Sequence, residues 1–85
     1  IIVVGHTQCG AVGAMLEPDK VKHLPAVEQW LRHAESTRRI VGEVYPGLDT
    51  ARRQVVATEE NVLCQLENLR THPAVAVAIA KGKLH

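Results

Sequence analysis

The sequence predicts an α/β fold in which a short buried strand feeds a helix-rich remainder. Three observations carry that expectation. Ile1-Ile2-Val3-Val4 is a continuous apolar run closed by Gly5, the pattern of a strand buried on both faces in a parallel sheet. A polar loop, His6 to Gly10, follows at once, at the carboxyl end of the strand, where open α/β sheets place their ligands. From Leu24 onward, apolar residues recur at helical spacing.

Taken in order, Ala11 to Leu16 is short and apolar and reads as one or two helical turns, and Glu17-Pro18-Asp19-Lys20 reads as a turn. Leu24, Val27, Leu31, Ala34 and Val41 mark one amphipathic helix from about Pro25 to about Glu43, with Pro25 accommodated in its first turn. Trp30 falls beside that stripe, a place for a core or subunit-interface aromatic. Tyr45-Pro46-Gly47-Leu48-Asp49 ends the helix through its Pro-Gly pair, and Asp49 or Thr50 supplies a side-chain oxygen to cap the next one. Val55, Val62, Leu66 and Leu69 give that helix, Thr50 to Arg70, a buried stripe. It stops before His72-Pro73 because a residue preceding proline avoids helical angles. Ala74 to Lys81 is a last short helix closed by Gly82, and Lys83-Leu84-His85 reads as the start of a further strand.

No repeat, linker or low-complexity stretch divides these elements, so residues 1–85 are expected to be part of a single domain. The first residue is Ile, and the chain opens inside an apolar run and closes on a strand start, so an interior segment truncated at both ends is expected. Short chains bury a smaller share of their surface, which makes independent folding of 85 residues doubtful.

Composition excludes several function classes. A net charge of +1, with acidic and basic residues mixed, gives no electrostatic footprint for nucleic acid or an anionic membrane. One Trp, one Tyr and no Phe leave no platform for stacking bases. The apolar runs Ile1 to Val4 and Pro73 to Ala80 fall short of the roughly 20 residues that span a bilayer. Two cysteines, at 9 and 64, are fewer than a small disulfide scaffold shows, and no secretory signal is visible, so a reducing, cytoplasmic setting is expected.

His6-Thr7-Gln8-Cys9 sets an imidazole and a thiol three residues apart on the loop, where both can reach one metal ion. Zn²⁺ suits the pair, because it takes nitrogen at about 2.0–2.1 Å and sulfur at about 2.3 Å in a tetrahedral shell. Such a metal would hold Cys9 as thiolate. A lone His-x-x-Cys is a weak signal, strengthened here by the strand before it, the flanking glycines and the helix after it. Other readings fit less well. A nucleophile elbow needs glycine where Thr7 stands, Gly5, Gly10 and Gly13 do not make G-x-G-x-x-G, and Ala11 replaces the lysine of a phosphate loop. Cys64 reads as a small packed hydrophobe. His23, His33 and His72 have no partner at ligand spacing, and Arg38-Arg39 and Arg52-Arg53 read as solvated helix faces.

Val4-Gly5-His6-Thr7-Gln8-Cys9-Gly10-Ala11-Val12 resembles the second zinc-ligand motif of the β-class carbonic anhydrases, a strand ending in Gly-His-x-x-Cys-Gly. Leu24-Pro25-Ala26-Val27-Glu28-Gln29-Trp30-Leu31 is similar to the helix that follows in bacterial members, and Glu60 to Leu69 to a later helix. Pro73, Val75, Gly82 and Leu84 match the approach to the next strand, so the resemblance spans essentially the whole chain in order.

The resemblance implies a mostly parallel β-sheet flanked by helices, present here as a helix-rich partial domain. It also implies a zinc lyase that interconverts CO₂ and bicarbonate through zinc-bound hydroxide, and a homodimer or larger homo-oligomer. Carried over by position, His6 and Cys9 match two zinc ligands, and Gly10 a glycine whose backbone N–H lies at the substrate pocket. The family's Cys-x-Asp-x-Arg segment, with a further ligand and an Asp-Arg pair, has no counterpart in these residues. The isolated 85 residues are therefore expected to be inactive, with no catalytic residue beyond the metal ligands. Two alternatives share the scaffold: a hydrolase of carbon disulfide or carbonyl sulfide, and a non-catalytic zinc-binding structural subunit.

Overall fold

The computed structural model describes residues 1–85. Five α-helices follow the ligand loop: α1 (Gly10–Leu16), α2 (Pro25–Leu31), α3 (Glu35–Val44), α4 (Thr50–Thr71) and α5 (Pro73–Ala80). Short 3₁₀ turns occupy Pro18–Val21 and Arg32–Ala34.

The helix ends lie where local chemistry puts them. The Asp49 carboxylate accepts the Arg52 N–H at 2.8 Å and so caps α4. Between α3 and α4, Gly47 takes a φ of 82°, which reverses the chain at no Cβ cost. At the other end of α4, His72 is extended, with ψ 127°, as the residue before Pro73 must be. Its N–H donates to Leu69 O and its own carbonyl accepts from Ala76, so one residue closes α4 and opens α5. Beyond α5, Gly82 has a φ of 69°, its N–H bonds Ile79 O, and the Lys83 N–H bonds Ala78 O, each at 2.9 Å. That bond pair is a Schellman closure, the role expected of Gly82.

The core is small. Val12, Met15 and Leu16 of α1 meet Val41 of α3 and Ala57 of α4, with Cys9, Leu31, Ala34 and Val56 packed around them. Seven of the 85 residues are buried, so little apolar area holds the helices together. Polar contacts of long sequence separation add orientation. Thr37, fully buried, donates its hydroxyl hydrogen to Asn61 Oδ1 at 3.2 Å, and the Tyr45 hydroxyl donates to Glu60 Oε1 at 3.0 Å, both joining the α3 side to α4. The ion pairs, by contrast, all link residues three or four apart on exposed surface and contribute little to tertiary structure.

Three expectations are corrected. Neither Ile1–Val4 nor Lys83–His85 forms a strand. A strand's backbone groups are satisfied only by a neighbouring strand, and these two segments share one bond, from the Ile1 ammonium to His85 O at 3.1 Å. Ile1, Ile2 and Val4 are consequently 60%, 88% and 77% exposed. The single helix expected from Pro25 to Glu43 is broken at Arg32–Ala34. A 3₁₀ turn stacks residues three apart, which turns Leu31 and Ala34 together onto the core. Leu24, Val27 and Trp30 are left exposed, so Trp30 is no part of this core. On α4 the buried position is Ala57, while Val55 and Leu66 of the expected stripe are exposed. A small side chain lets α1 and α3 approach closely, and no element of these residues covers the larger apolar face.

Candidate metal centre

The loop from Gly5 to Cys9 is built by one unusual residue. Gln8 has a φ of 54°, the left-handed region that non-glycine residues seldom occupy. This turn at Thr7-Gln8 reverses the chain so that Cys9, extended at φ −73° and ψ 121°, stands at the N-cap of α1. The Cys9 thiol makes no capping hydrogen bond, and its carbonyl carries the structural load. That carbonyl accepts the Gly13 N–H and the Gln54 side-chain amide, each at 3.0 Å. Cys9 is half-buried against the core, and His6 is exposed.

His6 is oriented by its own neighbour. Its Nδ1 lies 2.9 Å from Thr7 O. A carbonyl only accepts, so the bond requires the proton on Nδ1 and leaves the Nε2 lone pair free for a metal.

The loop is held from the α4 side by a stripe at i, i+4 and i+8: Gln54, Thr58 and Val62. Gln54 reaches Cys9. Thr58 and Val62 press on Gly5, where an added Cβ would stand 2.7 Å from Thr58 Cγ2 and 3.0 Å from Val62 Cγ2. The Thr58 hydroxyl donates to Gln54 O at 2.9 Å, which fixes the rotamer that aims the Thr58 methyl at Gly5.

His6 and Cys9 line one cavity of about 240 Å³, together with Val12, Thr58, Asn61 and Gln65. His6 also borders a second cavity of about 390 Å³, shared with Gln54 and Glu59. Gly10 does not join the first cavity. It lines a neighbouring one of about 330 Å³ with Gly13, Lys20, Arg53 and Gln54, and a Cβ placed on it meets nothing within 4 Å. The structure thus brings His6 and Cys9 to one cavity and leaves Gly10, the next residue in sequence, on another.

The donor chemistry fits a borderline-soft ion such as Zn²⁺: one imidazole nitrogen with its second nitrogen hydrogen-bonded to a carbonyl, and one uncommitted thiol. The number of donors does not complete a shell. No group of three or more His, Cys, Asp or Glu side chains is placed to hold one ion. Cys64 is a free, half-buried thiol on α4, and His23, His33 and His72 are exposed. His33 instead meets the Trp30 ring edge-on at 5.0 Å.

Gln54, Thr58, Asn61 and Gln65 escape a reading of the sequence as site residues, because none is a metal ligand or a catalytic type in a motif. Their spacing on one side of α4 is the only signal, and it acquires meaning once the loop is seen to rest there.

Comparison with known proteins gives one consistent result. The family model described as "Carbonic anhydrase" matches residues 1–85. Carbonic anhydrase 1 of Escherichia coli O157:H7 is 40% identical over 84 residues, covering 99% of this chain and 38% of that protein. A carbonic anhydrase of Pseudomonas aeruginosa is 42% identical over 85 residues, covering 100% of this chain and 38% of its relative. For a carbonic anhydrase of Synechocystis the identity is 42%, with 31% of that protein covered. Among solved structures, the β-carbonic anhydrase CcaA superposes with a TM-score of 0.88 at 40% identity, covering 94% of this chain and 39% of that one. The 85 residues therefore span well under half the length of these relatives. No helix is long and apolar enough to cross a membrane. With the whole chain matched by the family model, and the fold shared at 40% identity with an α/β enzyme of that class, the chain belongs to the β-class carbonic anhydrases.

Proposed function

We propose that the protein containing these residues is a zinc-dependent carbonic anhydrase that interconverts CO₂ and bicarbonate. The observation that carries this reading is the pairing of His6 and Cys9 on one cavity, in a loop matched along its whole length to proteins named carbonic anhydrases.

In this reading His6 Nε2 and Cys9 Sγ hold Zn²⁺. When bound, the metal supplies the Lewis acidity that brings the pKa of a coordinated water down to about 7. The chain's own residues prepare that site. Thr7 O fixes the His6 tautomer and ring orientation. The left-handed turn at Gln8 folds the loop so that Cys9 and His6 line one cavity. Gly10, first in α1, has an N–H with no intrahelical partner and no side chain to block approach, which suits contact with an oxygen of CO₂ or bicarbonate.

Two protein donors do not make a catalytic zinc site, so a third comes from outside these residues, and the 85-residue chain alone is inactive. The segment is then an interior part of one domain whose mostly parallel sheet takes up Ile1–Val4. The assembled enzyme is a cytoplasmic homodimer or larger homo-oligomer.

The test is zinc content and CO₂ hydration rate, measured on this segment and on a chain extended upstream by one strand and its loop. The expected result is about one zinc per extended chain, with hydration activity, and loss of both in His6→Ala and in Cys9→Ser. An extended protein that binds zinc but leaves CO₂ untouched would sink the carbonic anhydrase reading. Metal retained at full occupancy in both variants would sink the ligand assignment.

A further inference from the structure

Gln54 belongs to no metal-ligand motif, yet its side chain is the one polar group from another element that touches the loop between His6 and Cys9 and α1. Its Nε2 donates to Cys9 O across 45 residues of sequence, at 3.0 Å. The acceptor is the carbonyl of a proposed metal ligand, and its other hydrogen bond, from the Gly13 N–H, belongs to the first turn of α1. The Gln54 amide is thus the one hydrogen bond to the Cys9 carbonyl from outside α1, and it helps to fix the peptide plane that adjoins the Cys9 Cα–Cβ bond. The Gln54 backbone carbonyl accepts the Thr58 hydroxyl, and Thr58 in turn packs on Gly5 at the far end of the same loop, so neighbouring residues of α4 hold both ends of it.

We infer that Gln54 is a positioning residue for the metal site: its amide holds the Cys9 peptide so that the thiolate and the His6 ring converge on one ion. The inference rests on the assignment of His6 and Cys9 as ligands and goes beyond it by naming what orients them. Gln54 touches neither metal nor substrate. Its action is exerted through one backbone carbonyl, so it depends on a donor at the end of a side chain of this length and not on the bulk of that side chain.

That distinction sets the experiment, carried out on the full-length protein. Gln54→Met keeps the length and removes the donor, and Gln54→Lys keeps a donor of similar reach. Zinc affinity is measured by competition with a chelator. The Co²⁺-substituted proteins are compared by their thiolate-to-cobalt absorption, and the metal-free proteins by thermal melting. Loss of an outer partner of a ligand weakens metal binding by about 10–100-fold, and an uncharged tether to a backbone carbonyl belongs at the lower end. Gln54→Met is therefore expected to bind zinc about tenfold more weakly, with a shifted cobalt spectrum and an unchanged metal-free melting temperature, and Gln54→Lys to recover most of the affinity. Equal affinity and an identical spectrum in Gln54→Met would overturn the inference. So would a loss that follows the metal-free melting temperature and that Gln54→Lys does not restore, because both mark a packing role. A wild-type protein that takes up neither zinc nor cobalt overturns the ligand assignment itself, and does so before any variant is compared.

Discussion

Replacing Gly5 by alanine tests whether α4 and the ligand loop are fitted to one another as closely as the coordinates place them. A Cβ at Gly5 would lie 2.7 Å from Thr58 Cγ2, 3.0 Å from Val62 Cγ2 and 3.5 Å from Thr58 O. Rotating Thr58 to relieve the first contact would break its hydroxyl bond to Gln54 O. Either the loop moves off α4, or the Thr58 hydroxyl bond is given up. Overpacking of this kind costs about 1–3 kcal/mol. Giving up the bond costs about 0.5–1.5 kcal/mol. The backbone at Gly5 is not left-handed, so alanine also gains about 0.4–1 kcal/mol by restricting the unfolded chain. The gain offsets part of the overpacking cost, and the net expectation is a destabilisation of up to about 2.5 kcal/mol, about 1.3 kcal/mol at mid-range.

In a protein of about 150–250 residues, each kcal/mol moves the melting temperature by about 2–4 °C. A scan of the full-length protein should therefore place Gly5→Ala about 3–5 °C below wild type if the net cost is near the middle of that range. Zinc affinity should fall with it, since the displaced residue adjoins His6. Gly5→Ala combined with Thr58→Ser removes the methyl at 2.7 Å, keeps the hydroxyl and leaves the weaker Val62 contact, so it should recover much of the loss. A Gly5→Ala protein that melts with wild type and holds zinc equally well would refute the fit between loop and helix. A loss that Thr58→Ser leaves untouched would refute the contact named as its cause.

Three further outcomes are expected. Asn61→Leu leaves the fully buried Thr37 hydroxyl without its partner and should cost about 1–3 kcal/mol in urea unfolding of the metal-free protein. Adding Thr37→Val should return part of that cost, which a double-mutant cycle measures. Asp49→Ala removes the α4 cap and should cost about 1 kcal/mol in the same assay, whereas Asp49→Ser should retain most of the stability. The hydrogen bond to Glu60, then the Glu60 charge, raise the Tyr45 pKa above its ordinary 10.0. The folded state thus holds the phenolic proton more tightly. The stabilisation is present below the ordinary value and disappears as pH rises through the folded one. Melting curves of wild type and Tyr45→Phe should accordingly differ at neutral pH and converge in alkali. A difference that widens with pH would refute the linkage.

The helices were legible in the sequence because their boundaries are written locally. Pro25, Asp49, His72-Pro73 and Gly82 each act within a turn of the residue concerned, and each stands at a boundary in the structure. His6 and Cys9 were legible for the same reason, being three residues apart on one loop. The side chains that hold the loop were not. Gln54 lies 45 residues from Cys9, and nothing about a glutamine in an amphipathic helix announces a distant carbonyl. The buried side of α4 is illegible for a related reason: apolar bulk points to Val55 and Leu66, but close approach of α1 and α3 favours Ala57.

The absence of strands follows from a difference between the two kinds of element, and it bears on the site. A helix pairs its interior backbone groups within itself, so α1 to α5 need no neighbouring strand to form their hydrogen bonds. A strand satisfies none of its own, and Ile1–Val4 meets no partner among these residues. A loop hung only from the end of that strand would have nothing to fix it. Here the loop is fixed instead from the helical side, at Gly5 by Thr58 and Val62 and at Cys9 by Gln54. Among these residues, the arrangement of His6 and Cys9 therefore rests on α4. Substitutions on α4 that never touch the metal are accordingly expected to weaken its binding, while polar replacements of the exposed Ile2 should spare the loop in this segment and act only where a neighbouring strand packs against it.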